Sequence, residues 1–375
     1  MAGIYLHIPF CRRACHYCNF HFSTSLKGKN DFLEALLKEI YLQKDYLGED
    51  RVGTIYFGGG TPSLLEPGEL QSIVSALREQ FEIDAAAEFT LEANPDDITD
   101  EKLIYWKNAG INRLSIGVQS FFEEDLRWMN RAHSAQQARD AIRLSQDKGF
   151  TNLTIDLIYG TPTLTDTNWQ KNIDMAVEAG IPHLSCYALT VEPGTALDVM
   201  VKKNKMPAAD ADVQARQFTQ LISRLQQEGY EHYEISNFAK PGMRSRHNSA
   251  YWSGRRYLGL GPSAHSYNGS SRQWNVAGNA LYAHALRRNE LPFEKEDLTE
   301  KQRINEYIMT SLRTIEGLDI DFVTQHFGEA AGKQLQQSSR KYMDSGRLFF
   351  RDNHLQLTNE GKLFADGIAA DLFID

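Results

Sequence analysis

No run in this chain approaches the roughly 20 consecutive apolar residues that a bilayer-spanning helix needs, so a spanning helix is excluded. Positive charge is short as well, since 40 basic residues against 49 acidic ones leave a net charge of −9. That balance gives no general attraction for phosphate polyanions. Nucleic acid is therefore not an expected partner, despite the local basic cluster of Arg244, Arg246, Arg255 and Arg256. There is no internal repeat, no low-complexity tract and no charged-then-apolar leader, so secretion is not expected. Cysteine is scarce, with 4 among 375 residues. This excludes a disulfide framework and fits a protein of the reducing cytoplasm. The rest is ordinary globular composition, 42% hydrophobic and 24% charged, at a length that suits one large core with a smaller satellite domain.

The few cysteines are not scattered. Cys11, Cys15 and Cys18 stand within eight residues, directly after the apolar stretch Ile4-Tyr5-Leu6-His7-Ile8, which reads as a strand. A buried structural cysteine gains nothing from two more beside it, whereas three convergent thiolates make a metal or iron–sulfur site. A closed structural site fills every coordination position, while a reactive one keeps a position free. Three cysteines on a four-iron cluster would thus leave one iron open to a cofactor. A zinc loop completed by His16 or His21 is the alternative. Cys186, alone in a later apolar run, reads as a buried apolar residue.

Short β-type runs alternate with helical patterns over the first 230 residues. The strands read as Ile4–Phe10, Thr54–Phe57, Glu88–Ala93, Arg113–Val118, Leu153–Tyr159 and His183–Leu189. Alternation at this spacing predicts an α/β fold on a parallel sheet, and six such units are too few for a closed eight-stranded barrel. The motifs fall at the strand ends: Gly58-Gly59-Gly60-Thr61-Pro62 after the second, Glu92-Ala93-Asn94-Pro95 at the third, Gln119-Ser120 after the fourth, and Asp156 to Gly160 along the fifth. Residues 1–235 form the predicted barrel unit. Residues 236–290, rich in Gly, Ser, Asn, Arg and aromatics, read as a connecting region containing His247-Asn248-Ser249-Ala250-Tyr251-Trp252. Over 291–375 the pattern becomes helical and closes with a hairpin at Arg347–Leu357 turning on Asp352-Asn353. That order predicts a C-terminal helical, winged-helix-like domain. Its segment Leu318–His326 is acidic, which speaks against DNA reading.

Successive glycines let backbone amides approach a ligand where any Cβ would collide, although a tight βα connection asks for glycine on geometry alone. Glu92 and Asp156 sit in apolar strands, where a carboxylate is costly without a partner. A ribose diol or an ammonium would serve, as would a capping role at the next helix. Gln119 and Arg131 could bind a carboxylate or an adenosine, with arginine suited to bidentate pairing.

The spacing CxxxCxxC on a loop after the first strand resembles the cluster loop of the radical S-adenosylmethionine (SAM) enzymes. The resemblance implies an open, partial (β/α)6 barrel and a [4Fe-4S] cluster on Cys11, Cys15 and Cys18. It also implies SAM chelated at the open iron, with an electron from the cluster cleaving its sulfonium. The runs YLHIPFC, FGGGTP, LEANP, GVQSF, Asn130-Arg131 and DLIYG narrow this further. Over nearly the whole chain they resemble the oxygen-independent coproporphyrinogen III oxidase family and its close relatives. Carried over by position, Tyr5, Gly59, Gly60, Thr61, Glu92, Gln119, Arg131, Asp156 and Ala188 are the implied SAM contacts.

One departure separates branches of that family. The oxidases carry a further cysteine two residues after the third ligand, where this chain has Phe20, and an extension ahead of the first strand, which here begins at residue 4. The HNxxYW run at His247–Trp252 resembles the hallmark of the haem-chaperone branch, and so implies haem as a ligand and haem-accepting proteins as partners, besides an electron donor. On residue types, His247 can ligate haem iron while Tyr251 and Trp252 offer flat apolar faces. The competing reading is a hydrogen-bonded structural histidine.

Overall fold

The computed structural model describes residues 1–374. Six strands run parallel and in chain order: β1 (Ala2–Ile8), β2 (Val52–Gly59), β3 (Ile83–Ala93), β4 (Arg113–Gln119), β5 (Leu153–Tyr159) and β6 (His183–Ala188). Almost every residue of β1, β4 and β5 is buried, which is why these strands read as unbroken apolar runs instead of alternating ones. Helices such as Lys29–Leu42 and Pro67–Gln80 carry the chain back, so that all six strands end on the same side. Their buried stripes, Phe32, Leu36 and Ile40 in the first and Leu70, Ile73, Val74 and Leu77 in the second, recur at helical spacing. The result is the open (β/α)6 barrel.

The sheet does not stop at six strands. On one edge, β7 (Glu231–Glu234) and β8 (Asn237–Ala239) add antiparallel beyond β6. On the other, β9 (Tyr257–Leu260) pairs parallel to β1 and leads into the antiparallel β10 (His265–Tyr267), β11 (Ser271–Asn275) and β12 (Phe293–Asp297), making 12 strands in all among the described residues. Residues 236–290 thus carry β8 to β11 of this sheet. Their weak periodicity has a physical cause in strands this short and backbones this close: a Cβ on Gly259 would stand 2.0 Å from the His265 carbonyl. Buried Glu39 fastens the extension by accepting from Gly261 N (2.7 Å), Asn275 Nδ2 (2.6 Å) and the Tyr282 hydroxyl (2.5 Å). Burial pushes its carboxyl up to about 7.

The C-terminal unit has its own core, built from Ile308, Leu312, Leu318, Val323, Leu335 and Leu355. Helix Glu300–Leu312 precedes β13 (Leu318–Asp319), helices Ile320–Phe327 and Glu329–Asp344 follow, and β14 (Leu348–Arg351) with β15 (His354–Leu357) closes a three-stranded sheet. This is the winged-helix order. The hairpin turns on Asp352 and Asn353, both at positive φ (47° and 61°). Arg313 ties the unit to the barrel by pairing at 2.9 Å with buried Glu234. Among the described residues no helix is long and apolar enough to cross a membrane.

Candidate functional site

After β1 the chain passes through Pro9-Phe10 into the irregular loop that carries the three cysteines. Main-chain bonds close its base, Cys11 N to Ser23 O (3.0 Å) and Ser23 N to Pro9 O (2.8 Å). Its far side is pinned to the segment Trp128–Arg131 by His16 Nδ1 to Trp128 O (2.9 Å), Asn130 Nδ2 to Ala14 O (2.7 Å) and Arg13 Nη1 to Arg131 O (2.9 Å). Asn130 sits at φ 59°, a left-handed turn that asparagine tolerates.

Cys11, Cys15 and Cys18 line one cavity of about 440 Å³ at the C-terminal ends of the strands. Gly59, Gly60, Thr61, Glu92, Gln119, Arg131, Asp156 and Ala188 line it with them. Tyr5 does not. It stands behind the wall, buried in β1 with its hydroxyl donating to His7 Nδ1 (3.2 Å). Arg131 is the hub: Nη1 reaches Cys15 Sγ (3.4 Å), and Nη2 donates to Asn94 Oδ1 (2.6 Å) and Gly117 O (2.8 Å). Thr61 Oγ1 donates to Cys11 Sγ (3.5 Å).

Electrostatics say what the cavity can hold. Burial pushes the Cys11 thiol up to about 11 and Cys18 upward too. Only a strong cation would hold these sulfurs as thiolates, as iron does. Burial likewise raises Glu92 to about 8 and Asp156 to about 6, with serine and tyrosine hydroxyls as their partners. Arg131 Nε is buried without a hydrogen-bond partner. Sulfur donors, two uncompensated carboxyls and an idle guanidinium nitrogen fit a thiolate-held cluster beside a ligand bearing ammonium, hydroxyl and carboxylate groups.

Glu92 carries a testable sign. Its folded value of about 8 lies above the ordinary 4.5, so between those limits the unfolded chain sheds a proton that the folded chain keeps. Stability of the cluster-free chain therefore falls as pH rises through that window, by on the order of a few kcal/mol. Glu92→Gln is expected to flatten this part of the profile, raising the melting temperature at pH 8 and not at pH 4.5. Thermal melts across pH check it, and an unchanged profile would refute the assignment.

The backbone accounts for where the glycines and Gln119 stand. A Cβ on Gly59 (φ 101°) would meet the His7 ring at 2.6 Å, and one on Gly60 would meet the Ile8 and Phe10 carbonyls at 2.7 Å. The close approach they permit is thus to the root of the cysteine loop itself. Gln119 sits at φ 65° beside an irregularity in β4, strain that places it on the cavity wall.

Neither His16 nor His21 lines the cavity: His16 is bonded to Trp128 O, and His21 Nε2 to Asn279 Oδ1 (2.7 Å). Among the described residues no three His, Cys, Asp or Glu side chains close on a single ion, as zinc would need. A cubane asks less, since each thiolate takes a different iron.

His247 is not at this site. It is buried at the opposite strand ends, with Nδ1 bonded to Thr54 Oγ1 (2.8 Å), Nε2 bonded to the Tyr251 hydroxyl (3.1 Å), and its ring 5.0 Å from that of Tyr56. Its main-chain N donates to Glu88 Oε1 (3.1 Å), and burial lowers its pKa to about 3. With both ring nitrogens engaged, this arrangement offers none to haem iron and matches the structural reading. Tyr251 packs edge-on against the same ring (4.9 Å), and Trp252 alone of the three reaches an open cavity.

Residues the sequence reading passed over include Tyr17, Asn94, Ser115 and Tyr187, all on the cavity wall. Position was the available signal: Tyr17 lies between two cysteines and Asn94 stands within the LEANP run.

Comparisons with known proteins follow the same division. The chain matches the Radical SAM superfamily over residues 5–176 and the HemN C-terminal domain over residues 298–364. It is 36% identical to the heme chaperone HemW of Mycobacterium tuberculosis, over 99% of this chain and 94% of that protein. With heme chaperone HemW of Bacillus subtilis the identity is 31%, over 98% of each. Among solved structures, coproporphyrinogen III oxidase (HemN) of Escherichia coli, described as a radical SAM enzyme, superposes with a TM-score of 0.86 at 25% identity, covering 99% of this chain and 90% of that one.

Proposed function

Because the chain belongs to the HemW haem-chaperone family of the radical SAM superfamily, we propose that it binds haem and hands it to haem-accepting proteins, with a [4Fe-4S] cluster and SAM as its cofactors. Cys11, Cys15 and Cys18 would hold the cluster. Arg131 and Gln119 would meet the SAM carboxylate and adenosine, and Glu92 and Asp156 its hydroxyl and ammonium groups, with Gly59, Gly60, Thr61 and Ala188 shaping the wall. Bound there, such a cluster would supply the electron that cleaves the sulfonium, drawn in turn from an electron donor. The protein's own part is to strip water from the cavity, keep the Glu92 carboxyl close to neutrality until a cation arrives, and hold Arg131 against Cys15. The few cysteines favour a cytoplasmic setting.

The observation that carries the chaperone reading over the oxidase is Phe20. It lies on the cavity wall and is 64% exposed, at the position where the oxidases carry a further cysteine. The likeness to HemN in fold favours the oxidase as the second reading. Anaerobically reconstituted protein, titrated with haem and separately with coproporphyrinogen III beside a SAM cleavage assay, separates them. Stoichiometric haem uptake without protoporphyrinogen formation is the expected result. Catalytic conversion of coproporphyrinogen would overturn it.

A further inference from the structure

A second cavity, about 610 Å³, opens at the other end of the strands, where the first residues of β1 and β2 meet the C-terminal unit. Arg244, Arg246, Trp252, Arg255, Tyr307 and His354 are on its wall. Its size suits a drug-sized or larger flat ligand. Its wall is more basic than the chain as a whole, with three arginines and His354 against Glu316 and Asp319. Arg244 is spoken for, paired with Glu231 (3.0 Å) and Glu316 (2.7 Å). Arg246 donates through Nη1 only to Ala86 O (2.6 Å), and among the described residues Arg255 has no carboxylate within salt-bridge reach. Among the described residues Arg246 and Arg255 thus lack carboxylate partners on a wall they share with Trp252, whose ring Arg313 covers at 5.1 Å, and Tyr307.

His354 supplies the missing element. Its Nδ1 lies 2.7 Å from the Asp352 carbonyl, and a carbonyl can only accept, so Nδ1 carries the proton and Nε2 is left with a bare lone pair. Among the described residues no hydrogen bond engages Nε2, and Asp319 Oδ2 lies 3.9 Å away. A ring nitrogen bare on one side, with the other held by a backbone carbonyl, is how histidines are presented to metals. His247, with both nitrogens bonded, lacks this feature.

Resting on the reading of the chain as a haem carrier, we infer that haem is seated in this cavity, its iron on His354 Nε2 and its propionates on Arg246 and Arg255. In this arrangement the HNxxYW run contributes Trp252 to the wall, while His247 and Tyr251 brace the floor beneath it. From Thr54 in β2 to Gly60 just beyond its end there are six residue steps, about 20 Å at ~3.3 Å each, so haem and the cluster cavity occupy separate ends of one strand. Haem would then be cargo held away from the radical site and not its substrate.

Ferric haem titrated into the full chain, followed by its Soret band, tests this. His354→Ala is expected to abolish the histidine-ligated Soret spectrum of the wild type, and added imidazole to restore it, a rescue that a merely structural histidine would not show. Arg255→Ala should keep the wild-type spectrum and bind about tenfold more weakly. His354 is half-buried in a surface hairpin, and circular dichroism confirms that each variant is folded. A His354→Ala protein with wild-type spectrum and affinity overturns the inference alone. A wild type that takes up no haem overturns the carrier reading on which it rests.

Discussion

Replacing Cys15 with serine is expected to strip the brown iron–sulfur absorbance from anaerobically reconstituted protein, and SAM binding with it, while the circular dichroism stays close to wild type. The reason lies in how the loop is held. Its fixed geometry comes from main-chain bonds at Cys11–Ser23 and from side chains of His16 and Asn130, none of which involves the Cys15 sulfur. Among the described residues the only side-chain partner of that sulfur, Arg131 Nη1, belongs to a guanidinium that keeps Asn94 and Gly117 through Nη2. A serine hydroxyl stays protonated where a thiol yields to iron, so the cluster loses a corner and the fold loses little. Cys186→Ala is the matched control. That cysteine is 1% exposed inside β6 and away from the cavity, so its loss should leave iron and sulfide content unchanged. Retention of a full cluster in Cys15→Ser would refute the ligand assignment.

Gly60→Ala is expected to do more damage than its single methyl group suggests. The added Cβ would lie 2.7 Å from the Ile8 and Phe10 carbonyls and 2.9 Å from Phe10 N, all backbone atoms that cannot rotate away. Overpacking of this kind costs about 1–3 kcal/mol or more. The relief available is a shift of Phe10, which moves Cys11 with it. A lowered melting temperature together with poor cluster incorporation is therefore predicted. Gly68→Ala provides the contrast, since nothing lies within 4 Å of its Cβ in an exposed first helical turn. There the substitution should be neutral or slightly stabilising. Equal melting temperatures for the Gly60 variant and the wild type would show that the glycine is not packed as described.

How much of this was legible in the sequence differs by the kind of interaction. The parallel strands were legible because burial on both faces forces continuous apolar runs, and their ends were legible because carboxylates, glycines and cysteines are costly or pointless inside such runs. The strands β9 to β12 were not: three- to five-residue segments such as His265–Tyr267 carry too few side chains to show a period, and Gly259 is there for the His265 backbone. The glycine motif was placed correctly on the cavity but for a reason local sequence cannot reveal, since what Gly60 touches comes from fifty residues earlier. His247 shows the same limit. Its partners Thr54, Tyr56 and Glu88 are distant in sequence, and only their convergence turns a metal-like histidine into a buried, doubly bonded one. Conversely the sequence set His354 apart in no way from the rest of its hairpin, and its significance depends on a carbonyl two residues away and a cavity formed with another part of the chain.

The central claim is that three thiolates hold a four-iron cluster with one corner open to SAM. Electron paramagnetic resonance of the reduced, reconstituted wild type, recorded before and after SAM is added, tests it most directly. The account predicts a cluster signal that changes on SAM addition, alongside about four iron and four sulfide per chain. A signal indifferent to SAM, or a preparation containing zinc and no inorganic sulfide, would contradict it.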